Sequence, residues 1–305
     1  MIEPPADVWG SYLRSWERSM KHRNLSPKTQ QLYGAAGRSL LGHLSAHDLA
    51  PGGPAELRRD DVGGLLGAML EQGRAPSTVS LTYRALQQFM KYLCEEDENL
   101  RNPMEHLQAP IVPEKTVPVL PDADLEALLA ACAGKGFAAL RDTAVVRLLL
   151  ATGGRRGEVA NLTMTDVDLD NDQVRFFGKG RRERIVVLSP KTAQALERYV
   201  RIRARDRFAN TAALWLTVDG RGPMTPNGMA QMLRRRGHQA GIGDIHPHQF
   251  RHTAAHAWLA ADGSESDLMR TMGWRSPQML RRYGASLADE RAREASKRLN
   301  LGDRV

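Results

Sequence analysis

A proline-rich stretch near the middle of the chain places the strongest limit on its fold. Four prolines occur between positions 110 and 121, in a segment without helical periodicity. Proline lacks a backbone N–H and restricts the residue before it, so neither a helix nor a central strand continues through such a segment. We therefore predict a linker over residues 107–120, between an N-terminal domain of residues 1–106 and a second domain of residues 121–305.

The first 106 residues show the apolar periodicity of helices. Ser26-Pro27 and Pro76-Ser77 have the composition of helix starts, and Asp60 or Asp61 is a candidate N-cap between them. We predict a bundle of about four helices. The buried face of its second helix is predicted to consist of Leu32, Ala36, Leu40 and Leu44.

The second domain is predicted to combine helices with one pair of strands. Helix starts are predicted at Asp122, Ser189-Pro190 and Thr225-Pro226. Residues 174–177 and 184–188 are rich in β-branched and aromatic side chains and flank a glycine-containing turn, which is typical of a β-hairpin. The predicted fold is therefore mainly α: a helical bundle followed by an α+β domain with a small antiparallel sheet.

Charge and composition restrict the partners. The 305 residues have a formal net charge of +8 and a pI of about 9.8, which favours a polyanion such as nucleic acid. No apolar run approaches the roughly 18 residues of a membrane span. Only Cys94 and Cys132 are present, both in helical apolar patterns, so we expect buried thiols and a cytoplasmic location.

The segment from His246 to Ala254 contains the densest group of potentially catalytic side chains. His248 and Arg251 are three residues apart and share a helical face, where a base and a fixed cation suit phosphate chemistry. A second cation, Arg155, follows a helix-breaking Thr-Gly-Gly and precedes Gly157-Glu158. Taken alone, Arg155 also fits an ordinary surface turn.

Lys179 stands between two glycines at the tip of the predicted hairpin, where a mobile ammonium could protonate a leaving alkoxide. Arg181, Arg182 and Arg184 crowd the same turn, and their repulsion would lower the pKa of the lysine. A lysine in such a turn is also common without any catalytic role.

Two aromatic residues complete the candidate set. Trp274 follows Met272-Gly273 and could donate its indole N–H to a phosphate oxygen, although a tryptophan after glycine is usually a packing residue. Tyr283 follows two arginines, which would favour the nucleophilic phenolate. His252 and His256 are four residues apart and raise a metal alternative, but Thr253 stands where a zinc-protease helix needs glutamate.

The order of these motifs resembles that of the tyrosine recombinases, the phage integrase family. The resemblance covers residues 120–290 and rests on four segments: Thr152-Gly153-Gly154-Arg155-Arg156-Gly157-Glu158, Gly178-Lys179-Gly180, His248-Gln249-Phe250-Arg251-His252, and Gly273-Trp274 with Tyr283 nine residues later. Trp274 stands where histidine is commoner, and Phe250 replaces the usual leucine. Residues 1–106 are similar to the SAM-like core-binding domain of the family, and no additional arm-type DNA-binding domain is expected.

The resemblance implies that Tyr283 attacks a DNA phosphodiester and forms a 3′-phosphotyrosine, with no cofactor and no metal. Arg155, Arg251 and Trp274 would stabilise the transition state, His248 would act as base, Lys179 as acid, and Glu158 would orient Arg155. The implied partners are double-stranded DNA with specific recombination sites, further copies in a tetramer, and accessory DNA-bending or directionality proteins. The implied location is the nucleoid of a bacterial or phage-infected cell.

Contacts to DNA phosphates are expected from a set of basic residues outside the catalytic motifs, namely Lys21, Arg23, Lys28, Arg74, Arg84, Arg181 and Arg182. Three alternatives remain at this point: a non-catalytic DNA-binding protein of the same fold, a type IB topoisomerase without a defined site, and a metallohydrolase built on His248, His252 and His256. A final helix over residues 287–299 is predicted to pack within the chain or against a neighbouring copy.

Overall fold

The chain divides into two compact units, Met1–Lys115 and Thr116–Val305, and the division falls within the proline-rich stretch. The computed structural model describes residues 8–47, 49, 52–113, 118–178, 183–274, 276–277, 280, 293 and 296–298. The helix predicted after Ser276-Pro277 and the one predicted over residues 287–299 lie almost wholly outside this part of the chain.

The first unit is helical. Its helices are α1 (Val8–His22), α2 (Pro27–Ala46), α3 (Arg59–Glu71) and α4 (Pro76–Glu96), with a short 3-10 helix at Pro54–Glu56. Trp16 lies in the centre of their apolar core, with its ring 4.7 Å from that of Phe89 and stacked on Tyr33 at 5.9 Å. The predicted bundle of helices is therefore confirmed for the described residues.

Two details of this unit were predicted wrongly. The N-cap of α3 is Arg58, and Asp61 lies in the first turn, where its carboxylate accepts a 2.8 Å hydrogen bond from the Arg58 backbone N–H. An aspartate inside the first turn can satisfy the same exposed N–H groups as a capping residue does. Leu32 is 38% exposed, and the buried face of α2 instead includes Gly34 and Gly37 beside Ala36, Leu40 and Leu44.

The two ends of the proline-rich stretch are anchored in different cores. Leu107 packs against the core of the first unit, and its carbonyl accepts a hydrogen bond from the Tyr83 hydroxyl. Leu120 is buried in the second unit, where its backbone N–H donates a 3.0 Å hydrogen bond to the Thr253 hydroxyl. No helix or strand forms over the described residues between them.

The second unit packs helices around a small sheet. Its helices are α5 (Asp122–Ala131), α6 (Phe137–Thr152), α7 (Arg156–Ala160), α8 (Pro190–Arg203), α9 (Pro226–Gln239), α10 (Pro247–Ala260) and α11 (Glu265–Met272). The helix start at Thr225 is confirmed, because its hydroxyl accepts a hydrogen bond from the Gly228 N–H. Asp122, predicted as a cap, is instead the first helical residue, and Pro121 caps α5.

The sheet has one more strand than the predicted hairpin. Strands β2 (Gln173–Phe177) and β3 (Glu183–Val187) pair antiparallel, with Val174 opposite Val186. The additional strand, β1 (Val167–Asp168), pairs antiparallel with β2 and gives the order β1-β2-β3. It has only two residues, so no alternating pattern could reveal it.

None of the helices in the described part of the chain is both long and apolar enough to cross a membrane. Cys132 is buried, as predicted, and burial raises the pKa of its thiol to about 11. Cys94 is only half-buried, which corrects the prediction that both thiols are buried; neither cysteine forms a disulfide.

Candidate active site

The corner that carries Arg155 depends on two glycines. Helix α6 ends at Thr152, and Gly153 adopts the left-handed conformation with φ of 54°. A Cβ on Gly153 would overlap the sulfur of Met272 at the end of α11, so a larger residue would require the Met272 side chain to move. Arg155 then stands before the first turn of α7, with 47% of its side chain exposed.

Glu158 binds two arginines in different ways. Its Oε1 accepts a 2.8 Å hydrogen bond from Arg155 Nη1, and its Oε2 accepts one of 3.0 Å from the Arg155 backbone N–H. The same Oε2 also accepts a 2.7 Å bond from Arg184 Nη2. Burial by itself would raise the pKa of Glu158, but the hydrogen bonds and charge of Arg184, together with the bonds from Arg155, bring it below its usual range.

Arg251 is a buried cation held by two helix ends. Only 2% of the residue is exposed, and its Nη1 donates a 2.7 Å hydrogen bond to the Gly153 carbonyl at the end of α6. Its Nη2 donates a bond of the same length to the Met272 carbonyl at the end of α11. Carbonyl groups at a helix C-terminus carry partial negative charge, so this position favours a guanidinium.

Trp274 packs against Arg251. The indole is buried, with 6% of the residue exposed, and the guanidinium carbon of Arg251 lies 5.3 Å from the ring centroid. This distance fits a cation–π contact, which stabilises a desolvated arginine. The structure therefore assigns the ring a contact that neither the packing nor the hydrogen-bonding interpretation of the sequence included.

His248 is exposed at the start of α10, next to both arginines. Burial is the largest cause that lowers its pKa, followed by the charges of Arg251 and Arg155. The ring of His252 stands nearly perpendicular to that of His248 at 4.8 Å, and burial, His248 and Arg251 lower the pKa of His252 to about 4. The imidazole of His252 is therefore neutral at neutral pH, and the lowered pKa of His248 favours its neutral form as well.

Three of these side chains meet at one groove of about 520 Å³. Arg155, His248 and Arg251 line it together, although 96 positions separate the first and last of them in the chain. Arg156 and Arg234 line the same groove and were not predicted as site residues. The run Arg234-Arg235-Arg236 on α9 was the available signal, but nothing in the chain order placed α9 beside α7.

Other predicted site residues are distributed differently. Lys179, Arg181, Arg182 and Tyr283 lie outside the described residues. The remaining predicted DNA-contacting residues are exposed in the first unit: Lys21, Arg23, Lys28, Arg74 and Arg84. Sequence reasoning missed the contacts of Arg184, which was counted only as one of several charges near the hairpin turn.

Among the described residues, no group of three histidine, cysteine, aspartate or glutamate side chains is placed to hold a metal ion. His248, His252 and His256 belong to this part of the chain, so the histidines of α10 do not provide a three-ligand site.

Comparison with known proteins adds direct evidence of relationship. Residues 118–290 match the model of the phage integrase family. The chain is 30% identical over 270 residues to the tyrosine recombinase XerC of Shewanella amazonensis, and the match covers 86% of this chain and 87% of that protein.

Solved structures share the fold. The integrase of transposon Tn1549, in complex with transposon right end DNA, matches with a TM-score of 0.74 and 20% identity over 95% of this chain and 99% of that one. A lambda integrase tetramer bound to a Holliday junction matches with a TM-score of 0.68 and 14% identity, covering 88% of this chain and 77% of that one.

Three findings agree with one another. Basic side chains from distant parts of the chain form one groove, the family model matches most of the second unit, and a relative is similar along almost the whole length. The chain belongs to the phage integrase family and is a site-specific tyrosine recombinase, an enzyme that breaks and rejoins DNA strands.

Proposed function

We propose that this recombinase cuts DNA by transesterification at Tyr283. The phenol oxygen attacks the scissile phosphorus, a bond forms between Tyr283 Oη and phosphorus, and the bond from phosphorus to the 5′-oxygen breaks. The products are a 3′-phosphotyrosine and a 5′-hydroxyl. A 5′-hydroxyl of a partner strand then attacks the same phosphorus and releases Tyr283, so each step exchanges one phosphate ester for another.

The observation that carries this proposal is the convergence of Arg155, His248 and Arg251 on one groove. The pentavalent transition state has more negative charge on its non-bridging oxygens than the diester has. Two guanidinium groups fixed beside those oxygens would stabilise it more than the ground state. Removal of one such donor typically slows a reaction by about 10²–10³.

Proton transfer is assigned to two residues. His248 accepts the proton of the Tyr283 hydroxyl, and Lys179 donates a proton to the leaving 5′-oxygen. The lowered pKa of His248 supports the first role, because a neutral imidazole is needed to act as a base. Glu158 orients Arg155 through the two hydrogen bonds described above, and Trp274 supports Arg251.

The partner is double-stranded DNA with a specific recombination site, bound by further copies of the chain as a tetramer. The DNA complexes of the two structural relatives support this assignment. Exposed basic residues in the first unit would contact phosphates: Lys21, Arg23, Lys28, Arg74 and Arg84. Arg181 and Arg182 are proposed to contact phosphates near the cleavage point.

A covalent capture experiment tests the nucleophile and finds the target. The protein is incubated with a library of nicked duplexes of random sequence, and DNA that stays attached after denaturation is recovered and sequenced. We expect the wild-type protein to capture a defined sequence. Tyr283→Phe should bind the same duplex with unchanged affinity and form no adduct, while Tyr12→Phe in the first unit should form it normally.

An adduct that persists in Tyr283→Phe would exclude this tyrosine as the nucleophile. Specific binding without any adduct by the wild-type protein would indicate a non-catalytic DNA-binding protein. Relaxation of supercoiled plasmid without a captured consensus would indicate a topoisomerase instead.

A further inference from the structure

Arg184 connects three parts of the second unit with a single side chain. It lies on β3, and its Nε donates a 3.0 Å hydrogen bond to the Thr271 carbonyl near the end of α11. Its Nη2 donates one of 2.7 Å to Glu158 Oε2 on α7, and its guanidinium carbon lies 4.6 Å from the centroid of the Phe176 ring on β2. The side chain is only 10% exposed, so these contacts are shielded from water.

The position of Arg184 determines how Glu158 can bind Arg155. A carboxylate and a guanidinium readily form a pair of parallel hydrogen bonds, with both carboxylate oxygens on one arginine side chain. Here only Oε1 of Glu158 accepts a hydrogen bond from the Arg155 side chain, because Oε2 accepts hydrogen bonds from Arg184 and from the Arg155 backbone. The contact therefore orients Arg155 without occupying two of its side-chain donors.

Further contacts join Arg184 to the end of α11. Gly273 has a positive φ of 63°, and a Cβ built on it would lie 3.5 Å from Arg184 Cδ. The Thr271 carbonyl that Arg184 binds is one residue before the Met272 carbonyl that accepts a bond from Arg251. The same end of α11 thus fixes both arginines.

We propose that Arg184 is a positioning residue for strand cleavage: by holding Glu158 Oε2, it prevents Glu158 from forming a two-point ion pair with Arg155 and leaves Arg155 able to bind the scissile phosphate. This inference rests on the proposed role of Arg155 in cleavage. Arg184 itself does not touch the phosphate and acts only through Glu158.

The test measures single-turnover cleavage of the nicked duplex obtained by covalent capture. Arg184→Met should slow cleavage by about 10- to 100-fold, which is less than the loss of a direct phosphate donor, with DNA affinity unchanged. Arg184→Lys keeps a cation beside Glu158 and should cleave faster than Arg184→Met, since one charged donor is enough to hold Oε2.

The double variant Glu158→Gln with Arg184→Met separates this role from a general structural one. A glutamine cannot form the two-point ion pair, so the double variant should be no slower than Glu158→Gln alone. Independent roles would instead multiply the two losses. Three results would overturn the proposal: multiplied losses in the double variant, a wild-type rate for Arg184→Met, or an Arg184→Lys rate as low as that of Arg184→Met.

A structure of the Arg184→Met protein provides a readout that needs no activity. Both oxygens of Glu158 should lie within hydrogen-bond distance of the Arg155 guanidinium, and Glu158 remaining on a single donor would refute the inference. If the wild-type protein forms no adduct with any duplex, the proposed function fails, whereas the geometry of Glu158 still decides the role of Arg184. If Arg184→Met does not fold, the Arg184→Lys protein decides the role of Arg184. Its cleavage rate is measured, and its structure should show Glu158 Oε2 still bound by the lysine.

Discussion

The two units bury different kinds of side chain. Among the described residues, the first unit has an apolar core in which Ser80 is the one buried polar residue. The second unit buries charged and polar groups together with its apolar core: Arg141, Asp142, Thr152, Thr192, Arg203, Arg251, His252 and Thr253. Apolar packing tolerates small shifts, whereas a buried cation needs acceptors at fixed places. The second unit is therefore the one in which buried side chains must keep fixed positions.

Its buried cations have different tasks. Arg141 binds the buried carboxylate of Asp142 within α6, and the partly buried Arg236 binds the same carboxylate from α9 and so joins the two helices. Arg203 donates to backbone carbonyls of residues 209–214 and orders that loop. These contacts are structural. Arg251 combines a structural contact with a place on the groove, so its loss should affect both stability and cleavage.

The largest expected effect comes from Arg251→Ala. The Gly153 and Met272 carbonyls would lose their donor, at a cost of about 1–3 kcal/mol each, and cleavage should fall by at least about 10². The control is Arg38→Ala in the first unit, whose ion pair with Glu17 is 56% and 38% exposed and should contribute about 0–1 kcal/mol.

Urea unfolding and single-turnover cleavage measure both variants. A loss of stability in Arg38→Ala as large as that in Arg251→Ala would contradict the contrast between the two units. Normal cleavage by Arg251→Ala would remove it from the active site.

A smaller effect is expected from Gly153→Ala. Positive φ costs a non-glycine residue about 1–2 kcal/mol, and the overlap with Met272 should add about 1–3 kcal/mol. The Gly153 carbonyl should shift with it and loosen its bond to Arg251. Gly73→Ala in the first unit has a similar φ of 75° with nothing within 4 Å, so it should show the conformational cost alone.

Chemical unfolding of both glycine variants, with cleavage rates, tests this difference. Equal stability losses would show that Met272 moves away without cost and that the helix ends at the active site are not closely packed.

The smallest effect concerns pH. The pKa of His252 falls from 6.5 to about 4 in the folded protein, so between these values the unfolded chain binds more protons. Stability should therefore decline as the pH falls from about 6.5 toward 4, and His252→Gln should flatten this decline. His43 in the first unit also has a lowered pKa, caused mainly by burial, but it is less buried, and His43→Gln should change the slope less.

Urea titrations at several pH values between about 4 and 7 give the slopes. A steeper decline in His252→Gln than in the wild-type protein would contradict the sign of the pKa shift. A larger change of slope in His43→Gln than in His252→Gln would show that the main pH-sensitive group lies in the first unit and not in the second.

Local signals in the sequence predicted most helices and their starts. Ser26 and Thr225 were identified as N-caps because a hydroxyl before proline has few other local roles, and both accept the expected backbone hydrogen bond. Asp61 and Asp122 were misplaced by one or more positions, because a carboxylate is stabilised both at the cap and in the first turn of a helix. Strand β1 was too short to be found.

The contacts of the active site could not be predicted in the same way. The motifs around Arg155, His248 and Arg251 predicted candidate residues, and the chemistry of each side chain suggested a role. Nothing in the spacing indicated that Arg251 would bind the ends of α6 and α11, or that Arg184 would share Glu158 with Arg155. These contacts join residues 21 to 98 positions apart, and helical periodicity carries no information over such distances.

The sequence by itself determined the helical character of the chain and predicted a linker and a set of side chains for phosphoryl transfer, because these depend on local backbone preferences and on the chemistry of single residues. Only the tertiary structure decided which groups share a hydrogen bond and which are buried. The pKa of His252 and the orientation of Arg155 depend on neighbours brought together by packing, and such neighbours exist only in the folded chain.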